Sequence, residues 1–330
     1  MNLTVLDERD ERAPNERPVR EVAPAFLDID ANGDARVPLY ACAEWHAPRS
    51  LATTALVLLH GRLRNADVYF DSAMRAVAAA GLAPDKTLAL VPQFLATADI
   101  AAHGLGEDVL HWEWTSWMGG DEAIGPRSLS SFDVLDAILQ QLTSRERFPA
   151  LERVVVAGHS GGAQVVQRHA VVTRGEASLL SRGVRLRYVI ANPSSYVYFD
   201  GVRPVLNGGF AAFDRRECPS FDDWKYGAQN PPRYVGGRSF AALEAAYAQR
   251  DVVYMLGEQD CDPRHPALDR SCAAMAQGPH RLARGRAYMR YLQSRQAKHL
   301  RHRLVEVPDA GHDGDAMFTS AQGIAALFGE

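Results

Sequence analysis

Residues 153–163, RVVVAGHSGGA, constrain the fold of this chain more than any other stretch. Val154 to Ala157 form a short apolar, mostly β-branched run bounded by glycine, which reads as a buried strand. Gly158-His159-Ser160-Gly161-Gly162 then demands a sharp turn, and an amphipathic segment follows it. Such a turn strains the backbone and brings strand and helix close together, so it needs glycine two residues before and after its apex. The apex is Ser160, the one hydroxyl of the turn. A glycine-rich turn between strand and helix can also cradle a phosphate. Here no lysine follows as in a P-loop, and G-x-G-x-x-G is absent.

The rest of the chain supplies a setting for that turn. Residues 25–46 alternate about Asn32-Gly33-Asp34 and read as a β-hairpin. From residue 55 onward, apolar strands (55–59, 88–94, 153–159, 187–191, 252–256 and 304–307) alternate with helical segments (66–80, 131–145, 162–174, 239–249, much of 267–298, and 314–328). The 267–298 segment has a break expected at Gly278-Pro279. That alternation implies right-handed crossovers and a mainly parallel sheet covered by helices on both faces. Two stretches lack periodicity: 95–127, with three tryptophans, and 192–238, an irregular insertion after the sixth strand. No internal repeat or linker divides the chain. The expectation is a mobile arm over 1–24 and a single α/β domain over 25–330, with an insertion or cap at 192–250.

Composition removes several function classes. Hydrophobic residues make up 47% and charged residues 23%, enough for a sizeable core in 330 residues. A net charge of -4 offers no case for nucleic acid or an anionic membrane surface. No apolar run approaches the ~20 residues of a membrane span. The first residues are charged and lack an apolar core, unlike a secretory signal, so a cytoplasmic protein is expected unless a signal was removed before Met1. The cysteines are Cys42, Cys218, Cys261 and Cys272, with no C-x-x-C pair. Cys261 and Cys272 flank a proline-containing loop. They could be bridged in an oxidising compartment or stand reduced as small semi-buried residues, the second being the preferred expectation.

Catalytic groups of an open parallel sheet collect beyond the carboxyl ends of its strands. Ser160, Asp260 and His312 each fall at such a position. A serine needs a base, an imidazole can take its proton near neutral pH, and a carboxylate holds the imidazole tautomer. Glu258 and Asp262 compete for the acid role; Asp260 is preferred, three residues past Gly257. The backbone N–H groups of Gly161 and of Arg62, after His60-Gly61, are the expected oxyanion donors. Trp114 and Trp117 are candidate pocket walls, and Ser194 and Tyr196 candidate substrate contacts. The aromatic residues of 197–238 form no long apolar face of the kind an interfacial lipase lid presents, which favours a partly polar, soluble ester. The histidines are scattered, so no metal or cofactor is expected.

With HG at 60–61, GHSGG at 158–162, GEQD at 257–260 and AGH at 310–312, residues 50–330 resemble the serine α/β-hydrolase superfamily. GHSGGAQVVQRHA, ANPSSY and the 257–284 stretch are also similar to bacterial and fungal α/β-hydrolases of undefined substrate. The loop after His60-Gly61 lacks the HGGG of hormone-sensitive-lipase-type esterases. The resemblance implies an esterase-like serine hydrolase with Ser160, Asp260 and His312 in triad roles and Ser160 at a nucleophile elbow; it names no substrate, and a small-molecule ester is the expected one. An amidase, peptidase or acyltransferase would use the same residues. A non-catalytic binding protein on the same fold is the remaining alternative.

Overall fold

Eight strands make one sheet. They are β1 (Ala25–Asp28), β2 (Arg36–Ala41), β3 (Thr54–Leu59), β4 (Thr87–Pro92), β5 (Arg153–His159), β6 (Arg185–Ala191), β7 (Asp251–Gly257) and β8 (His302–Val307). The computed structural model describes residues 13–29 and 33–329. Neighbouring strands run β1-β2-β4-β3-β5-β6-β7-β8. The six strands from β3 onward pair in parallel, while β1 and β2 add the antiparallel edge expected of the hairpin. Asn32 of the expected hairpin turn lies outside the described residues, as do residues 1–12 of the expected arm.

Strand alternation builds two cores. Leu56 and Leu58 of β3 and Val155 and Ala157 of β5 face one side, against the helices Ala66–Ala79, Gly314–Thr319 and Ala321–Phe328. Val57 and Leu59, with Val154 and Val156, face the other side, against the helices Ser131–Leu142, Gly161–Val172, Phe240–Ala248 and Arg281–Gln296. A side-chain period of two sends neighbours to opposite faces, so a strand covered on both sides must be apolar throughout. Each fully buried aliphatic side chain contributes about 1.5–3 kcal/mol. Among the described residues no helix is long and apolar enough to cross a membrane.

Several expectations are corrected. Residues 13–24 do not hang free: Val19 N–H donates to Asp99 Oδ1 and Ala23 N–H to Gln93 Oε1. The fully buried Arg64 donates to the carbonyls of Asn15 and Arg17 while pairing with Asp99 at 2.7 Å. Asp99 belongs to a helix, Thr97–His103, inside the stretch that shows no periodicity. Seven residues are too few to display it, although Gly104 closes it in the left-handed region at φ 59°. The single closing helix is two, parted at Ser320, whose hydroxyl accepts from Gly323 N–H and caps the second. Cys272 is bridged, but to Cys218 with a Cα–Cα distance of 5.8 Å. Cys261 is free and exposed. Nearness in sequence was misleading, because the insertion folds back so that Cys218, Phe221 and Ala273 pack together.

Candidate active site

Ser160 sits between β5 and the helix Gly161–Val172 with φ 56° and ψ -114°, a backbone an L-residue adopts only under constraint. The constraint is steric and local. A Cβ on Gly158 would stand 2.5 Å from the Gly162 carbonyl carbon, and one on Gly162 would stand 2.4 Å from the Leu59 carbonyl oxygen. The two glycines permit the close approach, and the Ser160 N–H donates to Ala191 O at the end of β6.

Three loops converge on the serine. His312, five residues past β8, accepts the Ser160 hydroxyl at Nε2 (2.9 Å), and its Nδ1 donates to Asp260 Oδ2 (2.8 Å). Asp262 is exposed, and its Oδ1 accepts from the Arg264 N–H, so of the two aspartates it is Asp260 that meets the histidine. The other oxygen of Asp260 accepts from Arg281 Nη1 at 3.1 Å, and both side chains are buried. Burial raises the Asp260 pKa, but the His312 hydrogen bond and the Arg281 charge outweigh it and hold the carboxyl below its usual range. Burial also lowers the His312 pKa; the bond to Asp260 opposes this and the charge of Arg281 reinforces it, leaving a net depression. His312 is therefore neutral at neutral pH, the state in which it can accept a proton.

Asn192 holds these loops in register. Its N–H donates to Met255 O, its Oδ1 accepts from Gly257 N–H at 2.9 Å, and its Nδ2 donates to Gly311 O at 3.1 Å. One buried side chain thus joins the start of the Asp260 loop to the residue before His312. Its φ of 50° lies where asparagine is tolerated better than most residues. His60 locks the loop after β3: Nδ1 donates to Gly61 O and Nε2 accepts the Phe94 N–H, and burial lowers its pKa to about 4. A Cβ on Gly161 would stand 2.9 Å from Arg62 N, so the two expected oxyanion donors are neighbours. As the first helical residue, Gly161 has no acceptor within its own helix for its N–H.

No family model and no curated protein sequence matches this chain. Solved structures do. A poly(aspartic acid) hydrolase from Sphingomonas sp. KT-1 superposes with a TM-score of 0.62 at 22% identity, over 93% of this chain and 98% of its own. A poly(3-hydroxybutyrate) depolymerase from Bordetella parapertussis gives 0.61 at 21% identity, over 96% and 99%. The chain has the α/β-hydrolase fold. At these identities the likeness extends to the architecture.

Within this α/β-hydrolase fold, Ser160 stands between two cavities. One, of about 390 Å³, also holds Gly161, Thr115, Gln164, Ser194 and Lys225. The other, of about 510 Å³, holds His312, Tyr69, Leu63, Val68 and Asp313. A larger cavity of about 710 Å³ lies beside the helix Arg281–Gln296 and contains none of Ser160, Asp260 and His312, so its size does not make it the site. Of the candidate contacts, Ser194 reaches the serine's cavity, and its hydroxyl accepts from Arg281 Nε. Trp117 does not: it is fully buried, stacked on Phe94 with ring centroids 5.2 Å apart. Tyr196 is likewise buried, stacked on Tyr288 at 4.5 Å. Trp114 lines neither cavity; Thr115 and Met118 of the same loop line the first. Large rings serve better as anchors for that loop than as walls of a polar slot. Arg281, and the bridging role of Asn192 at the start of the ANPSSY turn, escaped the sequence reading. An arginine within a helical run and an asparagine before proline carry no local mark of a loop contact made across the fold.

Proposed function

We propose that this protein is a serine hydrolase that cleaves a carboxylic ester through an acyl-enzyme. The observation that carries the proposal is the hydrogen-bonded relay from Ser160 Oγ through His312 to Asp260, at 2.9 and 2.8 Å. His312 Nε2 takes the hydroxyl proton as Ser160 Oγ bonds to the carbonyl carbon, and the carbonyl electron pair moves onto oxygen. The N–H groups of Gly161 and Arg62 receive that oxyanion, each worth about 3 kcal/mol of transition-state stabilisation. Asp260 keeps the Nδ1–H tautomer and stabilises the imidazolium. Collapse of the intermediate breaks the ester bond, and the proton on Nε2 passes to the leaving alkoxide. Water then attacks the acyl-enzyme by the same path, with His312 as base, and releases the acid and free Ser160.

A fluorophosphonate probe is expected to label the wild type at Ser160, and Ser160→Ala is expected to remove both labelling and hydrolysis of short p-nitrophenyl esters. Labelling that survives Ser160→Ala would sink the assignment. Profiling across esters, thioesters, lactones and amides ranks the leaving groups.

A further inference from the structure

The two cavities beside Ser160 differ in what they contribute to an acyl transfer. His312 Nε2 must deliver its proton to the leaving oxygen, so the leaving group lies on the side that contains His312. The cavity that contains Gly161 but not His312 is then the acyl side. Its charge is unbalanced. Arg62, Lys225 and Arg270 line it with a single carboxylate, Asp269. Asp269 is already engaged: Lys225 Nζ is 3.6 Å from its Oδ2, and the Tyr226 hydroxyl donates to the same oxygen at 2.8 Å. Among the described residues neither Arg62 nor Arg270 has a carboxylate partner. Arg62 Nη2 reaches only the Pro266 carbonyl, at 3.4 Å, and Arg62 Nε is buried without an acceptor. The leaving side is more nearly balanced: Arg62 lines it with Asp313 and Asp315, and Asp315 is paired with Arg75 at 2.7 Å.

Resting on the hydrolase reading above, we propose that the acyl half of the substrate carries a carboxylate, received by Arg62 and Arg270 with Lys225 beside them. A guanidinium presents paired donors that match a carboxylate, and partial burial strengthens the attraction over its value in water. Arg62 borders both cavities, but Lys225 and Arg270 line only the acyl one, so the cations that lie on one side of Ser160 select the acyl chain rather than the whole ester.

The test compares the mono-p-nitrophenyl ester of adipic acid with p-nitrophenyl hexanoate, which has the same carbon chain without the terminal carboxylate, each corrected for uncatalysed hydrolysis. The kcat/KM ratio is expected to favour the anionic ester by about fivefold to tenfold at low salt and to fall as salt rises. In Arg270→Glu, at an exposed position, the ratio is expected to drop below one, and Arg270→Lys is expected to restore most of it. A wild-type ratio at or below one, or a ratio that Arg270→Glu leaves unchanged, would overturn the acyl-carboxylate assignment while fluorophosphonate labelling still upheld the hydrolase. Loss of labelling together with both activities in the wild type would overturn the hydrolase reading, and this inference with it.

Discussion

Arg281 and His312 share one carboxylate: Arg281 Nη1 donates to Asp260 Oδ1 at 3.1 Å, and His312 Nδ1 donates to Asp260 Oδ2 at 2.8 Å. A fully buried guanidinium thus orients the Asp260 carboxylate while its own charge opposes protonation of His312. Arg281 also donates to Ser194 Oγ and Ala267 O, so it braces the lining of the cavity beside Ser160 as well.

Replacing Asp260 separates its role from that of its neighbour. Asp260→Asn is expected to lower kcat roughly 10³–10⁴-fold, because an amide no longer fixes the Nδ1–H tautomer. Asp262→Asn, which changes an exposed turn, is expected to stay within about twofold. Steady-state kinetics on a p-nitrophenyl ester check both, and a larger loss for Asp262→Asn would reassign the acid.

The pH profile reports His312 directly. Only the neutral imidazole can take the serine proton, so kcat/KM rises with pH through the His312 pKa. That pKa lies below the ordinary imidazole value of 6.5. The acid limb is therefore expected below pH 6.5. In Arg281→Met the limb is expected to move to higher pH, because a charge that opposes imidazolium is gone. An unmoved limb would show that Arg281 acts on packing alone. The same variant is expected to lose about 3–5 kcal/mol of stability, since it leaves Asp260 short of a buried partner.

Asn192 is a positioning residue whose removal is felt at a distance. Asn192→Gly keeps the freedom to adopt positive φ but deletes the side-chain bonds to Gly257 and Gly311. It leaves a buried donor and a buried acceptor unpaired, which costs roughly 2–4 kcal/mol in a urea titration. With the Asp260 and His312 loops loosened, kcat is expected to fall about tenfold or more with KM little changed. A fall confined to KM would place Asn192 in substrate binding instead.

The Cys218–Cys272 bridge, spanning 54 residues, restricts the unfolded chain by about 4 kcal/mol on loop-closure entropy. Reduction, or replacement of both cysteines by serine, is expected to lower Tm by several degrees in a thermal scan. Cys261→Ser, at an exposed free thiol, is expected to leave Tm unchanged.

The order of the eight sheet strands and of the long helices between them was legible because each of those elements announces itself locally. Val154–Ala157 is apolar at every position since both faces of β5 are covered, and Gly158 and Gly162 mark a turn no other residue could make. That Ser160, Asp260 and His312 would lie close together was legible for a related reason: each follows an apolar strand, and a parallel sheet sends all such ends to one edge. Tertiary structure decided what depends on contacts between distant segments. Trp117 and Tyr196 turned inward to stack on Phe94 and Tyr288, and Cys272 took Cys218 as its partner across the insertion. Residues 13–24 docked on Arg64, Gln93 and Asp99. Position after Gly257 already favoured Asp260 over Asp262; the fold adds the bond to His312 and the buried Arg281, 21 residues farther along the chain. A residue's type and its neighbours limit the backbone it can adopt. Which side chains it meets is set by the packing of the whole chain, and that packing brought His312 and Asp260 to the turn at Ser160.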